Sequence, residues 1–400
     1  MPWVEPSGQG SWRVRFRRED GSVASLPGFA SQADANDHID EMIVSQRKGT
    51  WIDPFAGQTT VAEYAPKWLD SLDIDQRTEE NYQCFINKHI VPKWGTTALD
   101  AVTNLAVRGW EKTLRAAKLA KTTVDSIIKC FSLMLSDAVG EFIGANPIQP
   151  RRRGRRRRAY KRTPRKVWAE PGEVLAVADQ VALRYGPEGA VLVVTAAWTG
   201  ARWGELIGLQ RHNLHLFDDN TGVMILDPDV GALHEPNKGD LYLGPLKTEE
   251  SAREITLPTF LVIMLRAHLL SHQHPHVFVT PQKQLHRRSN FSRRAFRPAA
   301  DGNARIPNPE VRLLPVKPGL TFHGLRHSHK TWMIDDGIAE IAQALRLGHI
   351  LGDKVRETYS HVAAAMEARL IAGLQTRWEK AVTDRPADAP HTRWRELAVA

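Results

Sequence analysis

The sequence predicts a mainly α chain with small β elements, and three observations carry that expectation. From about residue 59 onward apolar residues recur at helical spacing, with capping residues before them and Gly or Pro after them. Near the N-terminus, and again between residues 241 and 258, short runs alternate or turn sharply in the manner of strands. The 400 residues suffice for two to three domains, and 42% hydrophobic with 25% charged residues is the balance of a globular chain.

Ser11–Arg17 alternates strictly, placing Trp12, Val14 and Phe16 on one strand face and Arg13, Arg15 and Arg17 on the other. Asp20-Gly21 reads as a turn and residues 22–26 as a second strand, giving a β-ribbon. Ser31, with Asp34 three positions on, opens a helix carrying Ala35, Ile39, Met42 and Ile43. Residues 59–149 then read as an all-helical bundle. Thr60 and Glu63 give a capping-box signal before Tyr64, Trp68, Leu69 and Leu72, and Thr78 opens a helix with Tyr82, Phe85, Ile86 and Ile90 that stops near Pro92 and Gly95. Two more helices run near 106–119 and 122–143.

Residues 167–376 are again mainly helical, and 377–400 form a tail. Within them residues 241–247 and 252–258, around the polar stretch 248–251, read as a β-hairpin. Phe291, Arg294 and Ala295 suggest a short helix against the core, amid Arg287, Arg288, Arg293 and Arg297. Val362, Met366, Leu370 and Leu374 form an apolar stripe whose default role is core packing, with docking on a second copy of the chain as the alternative.

The net charge of +9 is unevenly placed. Residues 150–166 form a linker whose last sixteen positions read RRRGRRRRAYKRTPRK, nine arginines and two lysines with no acid. Those cations exceed the net charge of the whole chain, so the remainder is slightly acidic. Arg151, Arg152, Arg153, Arg155, Arg156, Arg157 and Arg158 suit a strap along a polyanion, stabilised by counterion release, although a solvated tether is the plainer reading of any like-charge run. Cys84 and Cys130 cannot build a disulfide framework or a four-cysteine zinc site, which points to a reducing compartment. No uninterrupted apolar stretch reaches about twenty residues, and Met1-Pro2-Trp3-Val4-Glu5 lacks the features of a signal peptide. A soluble, cytoplasmic chain with no membrane contact is expected.

Six residues of the second half carry the chemistry. Arg202 lies in Thr199-Gly200-Ala201-Arg202-Trp203-Gly204-Glu205-Leu206, with Thr199 a plausible N-cap. His323 and Arg326 belong to His323-Gly324-Leu325-Arg326-His327; His349 closes Leu347-Gly348-His349; Tyr359 follows in Glu357-Thr358-Tyr359-Ser360-His361. Lys247 sits in Leu246-Lys247-Thr248 on the hairpin, with Lys238 as a rival. Alone, Arg202 and Glu205 are most simply a helix-surface ion pair, and His327 and His329 ordinary half-buried histidines.

In order and local sequence, this set resembles the catalytic residues of the tyrosine recombinases, the phage-integrase family. The resemblance implies a site-specific DNA recombinase that cuts and rejoins strands through a 3′-phosphotyrosyl ester. Two always-charged guanidiniums, Arg202 and Arg326, suit the non-bridging oxygens of a phosphodiester. Tyr359 is the expected nucleophile, Lys247 the acid that protonates the departing 5′ oxygen, and His323 and His349 assist proton transfer. Because the bond energy stays in the ester, neither cofactor nor metal is expected, and no phosphate-binding glycine loop or carboxylate cluster for paired magnesium ions is evident.

The resemblance further implies an arm-type DNA-binding domain in residues 1–56, read through Arg13, Arg15 and Arg17, and a core-binding domain in 59–149. It implies double-stranded attachment sites as partners, a homo-tetramer on DNA, and help from an excisionase or a DNA-bending protein. A type IB-like topoisomerase shares the chemistry, and a regulator with a decayed active site is a third reading. The arm-like N-terminus and the presence of all six residues favour the recombinase.

Overall fold

A computed structural model of the chain describes residues 2–149, 166–305, 312–349 and 364–386, with 308 and 394 and without 9, 19, 20 and 238. It is mainly α with small antiparallel sheets, in two compact units, Met1–Arg158 and Ala159–Ala400. Among the described residues no helix is long and apolar enough to cross a membrane.

In the first unit β1 (Trp3–Gly8), β2 (Ser11–Arg17) and β3 (Val23–Phe29) form an antiparallel sheet in sequence order. Alternation along β2 buries Val14 and Phe16 against Ala35 and Met42 of α1 (Gln32–Arg47), whose N-cap Ser31 and Asp34 exchange both capping-box bonds. The ribbon expected from sequence thus gains a third strand. Pro6 and Gly8 hide β1 from a pattern search, and Pro6 is tolerated because β1 is an edge strand. The expected turn at Asp20-Gly21 falls partly outside the described residues, since Asp20 does.

Four helices follow: α2 (Val61–Asp70), α3 (Gln76–Phe85), α5 (Asn104–Ala116) and α6 (Lys121–Asp137), with the short α4 (Val91–Trp94) between α3 and α5. Asp75, not Thr78, is the N-cap of α3; its carboxylate takes the Thr78 N–H at 3.0 Å. A π-turn at Ile86–Ile90 carries the chain into α4 past Pro92, which has no N–H to place in an α ladder. The last helix ends at Asp137, earlier than expected, because a tight turn folds Ile143 back so that its N–H meets Ala138 O at 3.1 Å. Trp94, Trp110 and Phe131 fill the centre, with Trp94 stacked on Phe131 at 5.5 Å.

The second unit is built around α8 (Pro187–Thr199), apolar on nearly every side and buried accordingly. Against it lie α7 (Pro171–Tyr185), α10 (Thr259–Leu270), α13 (Phe322–Asp335) and α15 (Ala364–Thr383). Trp198, Phe260, Trp332 and Trp378 meet there, the Phe260 and Trp378 rings stacking at 4.0 Å. The stripe on α15 is core within its own chain: Leu370 and Leu374 are buried and Met366 packs against them, while Val362 lies outside the described residues. This helix runs to Thr383, beyond residue 376, and Trp394 returns to donate its indole N–H to Asp179 at 2.6 Å. The short α11 (Arg288–Phe291) and α12 (Arg297–Asp301), joined by a π-turn, bury Phe291, Ala295 and Phe296.

The expected hairpin is corrected. Its two runs do become strands, β7 (Tyr242–Gly244) and β8 (Arg253–Thr256), but they do not pair with each other. β7 pairs with β6 (Ala232–His234), and β8 with β5 (Gly222–Leu226), which also pairs with β4 (Leu214–Leu216). The segment before residue 241 supplies both partners. A 3₁₀ turn at Glu249–Ser251 leads from one sheet to the other instead of closing a hairpin.

Candidate active site

The site forms where two helices end. α8 stops at Gly200 and α14 (Glu340–Leu347) at Gly348, both in the left-handed conformation that closes a helix, with φ of +67° and +60°. A Cβ at Gly200 would meet Leu347 and His329 at 2.7 and 2.8 Å, and one at Gly348 would meet Arg253 and Glu250 at 2.8 Å. Glycine is required at both on two counts. Helix ends leave carbonyls unpaired and carry partial negative charge, which suits guanidinium donors.

Arginines take those carbonyls. Arg326, on α13 and 5% exposed, donates Nη1 to Gly200 O at 2.6 Å and Nη2 to Leu347 O. Arg202 donates Nη2 to Gly348 O at 3.0 Å and Nη1 to Ser251 Oγ at 2.9 Å. Arg253 donates Nε to Arg346 O at 2.7 Å, and Arg346 donates Nη2 to Trp198 O at 3.2 Å. Among the described residues the only carboxylate bonded to these four guanidiniums is Glu205, 2% exposed, which meets Arg202 at 2.7 Å and Arg253 at 3.0 Å. Burial would raise the Glu205 carboxyl, but the Arg253 charge and the bonds from both arginines outweigh it and hold it below the usual carboxylate range.

Arg202 is not inside a first helical turn capped by Thr199. Thr199 is the last residue of α8, and Arg202 is itself the N-cap of α9 (Trp203–Gly208), its N–H bonded to Glu205 Oε2 at 2.8 Å. Glu205 is therefore a buried anchor for two guanidiniums rather than half of a surface ion pair.

Both histidines of the set border the cluster. Burial, then His327 and Arg326, lower His323 to about 4; burial, then Arg326, lower His349 to about 4. Both rings are neutral at pH 7, each with one donor and one acceptor nitrogen. Arg326 is pushed down to about 9, by burial and then by Arg202 and Arg253, and stays charged at neutral pH. The buried positive charge exceeds what Glu205 offsets, and a bound anion would be stabilised there.

The structure thus brings together Arg202, His323, Arg326 and His349. Lys247 stands apart: it is exposed, between β7 and the turn that carries Ser251, and makes no hydrogen bond to a described residue. Tyr359, Lys238 and Arg151, Arg152, Arg153, Arg155, Arg156, Arg157 and Arg158 lie outside the described residues. In the N-terminal sheet Arg13 and Arg15 are tied to Glu5 of β1, at 2.9 and 3.2 Å, while Arg17 is exposed. Reading from sequence missed Ser251, Arg253 and Arg346. A signal existed for Arg346, a cation within the apolar run that precedes Gly348, where an exposed side chain is not expected.

Guanidiniums gathered beside neutral imidazoles are suited to hold an anion such as a phosphate and to exchange protons with it. No protein-family profile matches the chain. The integrase named for prophage phiRv2 of Mycobacterium tuberculosis is 26% identical over 91% of this chain and 92% of its own length. The integrase of Mycobacterium phage L5 is 27% identical over 74% of this chain and 73% of its own. Among solved structures, the Tn1549 transposon integrase in complex with transposon right end DNA superposes with a TM-score of 0.60 at 15% identity, covering 78% of this chain and 98% of that one. A lambda integrase dimer bound to a core site gives 0.52 at 14% identity, covering 90% and 97%. The chain is thus similar in sequence, over most of its length, to phage and prophage integrases, and in fold to DNA-bound integrases.

Proposed function

We propose that this chain is a site-specific DNA recombinase, an integrase, whose arginine cluster holds the scissile phosphate. The observation that carries the reading is four guanidiniums converging on the ends of α8 and α14, with Glu205 the one carboxylate hydrogen-bonded to them among the described residues. Arg202 and Arg326 clamp the non-bridging oxygens; only two of the five N–H groups of Arg326 are committed to carbonyls. His323 and His349, neutral before DNA arrives, hydrogen-bond the phosphate and pass protons. The Tyr359 oxygen attacks phosphorus, the P–O5′ bond breaks, and Lys247 gives the 5′ oxygen its proton while the tyrosyl proton leaves to a neighbouring base. Attack by the free 5′ hydroxyl of another strand reverses these bonds and restores the tyrosine. The integrases among the relatives support this reading over a topoisomerase or a decayed regulator.

In this reading residues 1–56 bind arm-type sites, 59–149 the core site, 150–166 strap the duplex, 167–376 do the chemistry and 377–400 form the tail. Arg13, Arg15 and Arg17 contact DNA from β2, the first two by exchanging Glu5 for phosphate. Exchange between two duplexes cuts four strands, and each chain offers one Tyr359, so four copies assemble on double-stranded DNA. An excisionase and a DNA-bending protein would set direction and geometry, and the reaction belongs in the cytoplasm with the host chromosome.

A nicked suicide duplex tests the assignment. The wild-type chain should accumulate a covalent protein–DNA adduct that peptide mapping places on Tyr359, and Tyr359→Phe should bind the duplex with unchanged affinity but form none. An adduct on another residue would overturn the role given to Tyr359.

A further inference from the structure

Arg346 and His329 lie behind the clamp, and the function proposed above gives them no role. Arg346, the penultimate residue of α14, is 8% exposed, and among the described residues no carboxylate is hydrogen-bonded to it. Its three nitrogens diverge: Nε donates to His329 Nε2 at 3.1 Å, Nη1 to Thr256 O of β8 at 3.0 Å, and Nη2 to Trp198 O of α8 at 3.2 Å. His329, fully buried on α13, accepts through Nε2 and donates Nδ1–H to Ala197 O at 2.9 Å. Only a neutral ring in that one tautomer meets both demands. Burying a guanidinium on neutral acceptors, with Glu367 acting on it only through space, is costly, so the arrangement calls for a compensating use.

That use is visible in the backbone that Arg346 fixes. Three consecutive carbonyls at the end of α14 each receive a different guanidinium: Arg346 O takes Arg253 at 2.7 Å, Leu347 O takes Arg326, and Gly348 O takes Arg202 at 3.0 Å. The next residue is His349, whose N–H returns to Ala344 O at 3.0 Å. Any rotation of this helix end would displace both clamp arginines and His349 together. We propose that Arg346 and His329 are a positioning pair for the phosphate clamp: by pinning the end of α14 to α8, α13 and β8, the pair sets the spacing of Arg326 and Arg202. The proposal rests on the recombinase reading for the identity of the anion. Lysine cannot replace Arg346, because a single ammonium cannot reach three divergent acceptors in a fixed plane.

Single-turnover cleavage of the suicide duplex by the full chain, with DNA affinity and melting temperature measured alongside, tests it. Arg346→Lys and His329→Leu should cleave about tenfold to a hundredfold more slowly than wild type, the scale of a small misplacement of reacting groups, with affinity little changed. His329→Gln, which keeps an acceptor for Arg346 and a donor for Ala197, should stay within about threefold of wild type. The double variant Arg346→Met/His329→Leu replaces the polar pair with apolar groups and should recover much of the melting temperature without recovering cleavage. Cleavage that follows melting temperature across the series, or a wild-type rate in Arg346→Lys, would overturn the positioning role and leave a purely structural one. If Arg346→Lys does not fold, the contrast between His329→Gln and His329→Leu decides, with equal rates refuting the proposal. Absence of an adduct in the wild-type chain would instead overturn the recombinase reading beneath it.

Discussion

In the N-terminal sheet Arg13 and Arg15 share the carboxylate of Glu5 at side-chain exposures of 38% and 32%, whereas in the C-terminal unit Arg326 and Arg346 are buried and end on backbone carbonyls. The first arrangement is reversible. Water screens the ion pairs, and another anion could replace Glu5 at little cost. The second is built in: the guanidiniums complete two helix ends, and their positive charge exceeds what Glu205 offsets. Arginine content therefore says little about function until burial and partners are known.

The sharpest contrast comes from removing the carboxylate in each place. Glu205→Ala leaves Arg253, whose side chain is 7% exposed, without its anion, and should destabilise the chain by about 3–5 kcal/mol in denaturant titration. Glu5→Ala should leave the melting temperature unchanged within error. Similar losses from both would erase the distinction drawn here.

A smaller effect should follow from acid. His268, His286, His323 and His349 are each held near 4, chiefly by burial, against 6.5 when the chain is unfolded. The unfolded chain therefore takes up protons first, so stability is intact above about pH 6.5 and drains as pH falls toward 4. Melting should occur at lower temperature near pH 5 than near pH 7.5, starting in the C-terminal unit that holds all four rings. Equal melting temperatures at the two pH values would show that these rings are not held neutral.

The N-terminal face should give the mildest change. Replacing Arg13, Arg15 and Arg17 together by Ala should flatten the salt dependence of DNA binding, the logarithmic slope falling by roughly one for each phosphate left unneutralised, equally for all sequences that present the arm face. An unchanged slope would make that face an ordinary exposed strand.

Much of this was legible in the sequence because helices announce themselves through periodicity and caps: Ser31 with Asp34 and Thr60 with Glu63 are seen capping as their spacing implies. The motif strings likewise single out Arg202, His323, Arg326 and His349, which the fold places in one cluster. Strand pairing was harder to read. β7 and β8 look like a hairpin because they are neighbours in sequence, but β7 pairs with its other neighbour, β6, and β8 with the distant β5, a choice no local pattern holds. Arg253 and Arg346 escaped for a related reason, since pattern reading assigns arginine to the surface and these two are held inside by carbonyls that only the folded helix ends present.

The central claim, that the cluster exists to neutralise a phosphate, is tested most directly by removing the phosphate's charge. Arg326→Ala should cleave a normal suicide duplex on the order of a hundredfold more slowly than wild type, the usual effect of losing one preorganised donor. On the same duplex with an uncharged methylphosphonate at the cleavage position, the variant should recover most of that loss relative to wild type. A deficit that persists undiminished on the uncharged substrate would contradict the account and assign Arg326 a structural role alone.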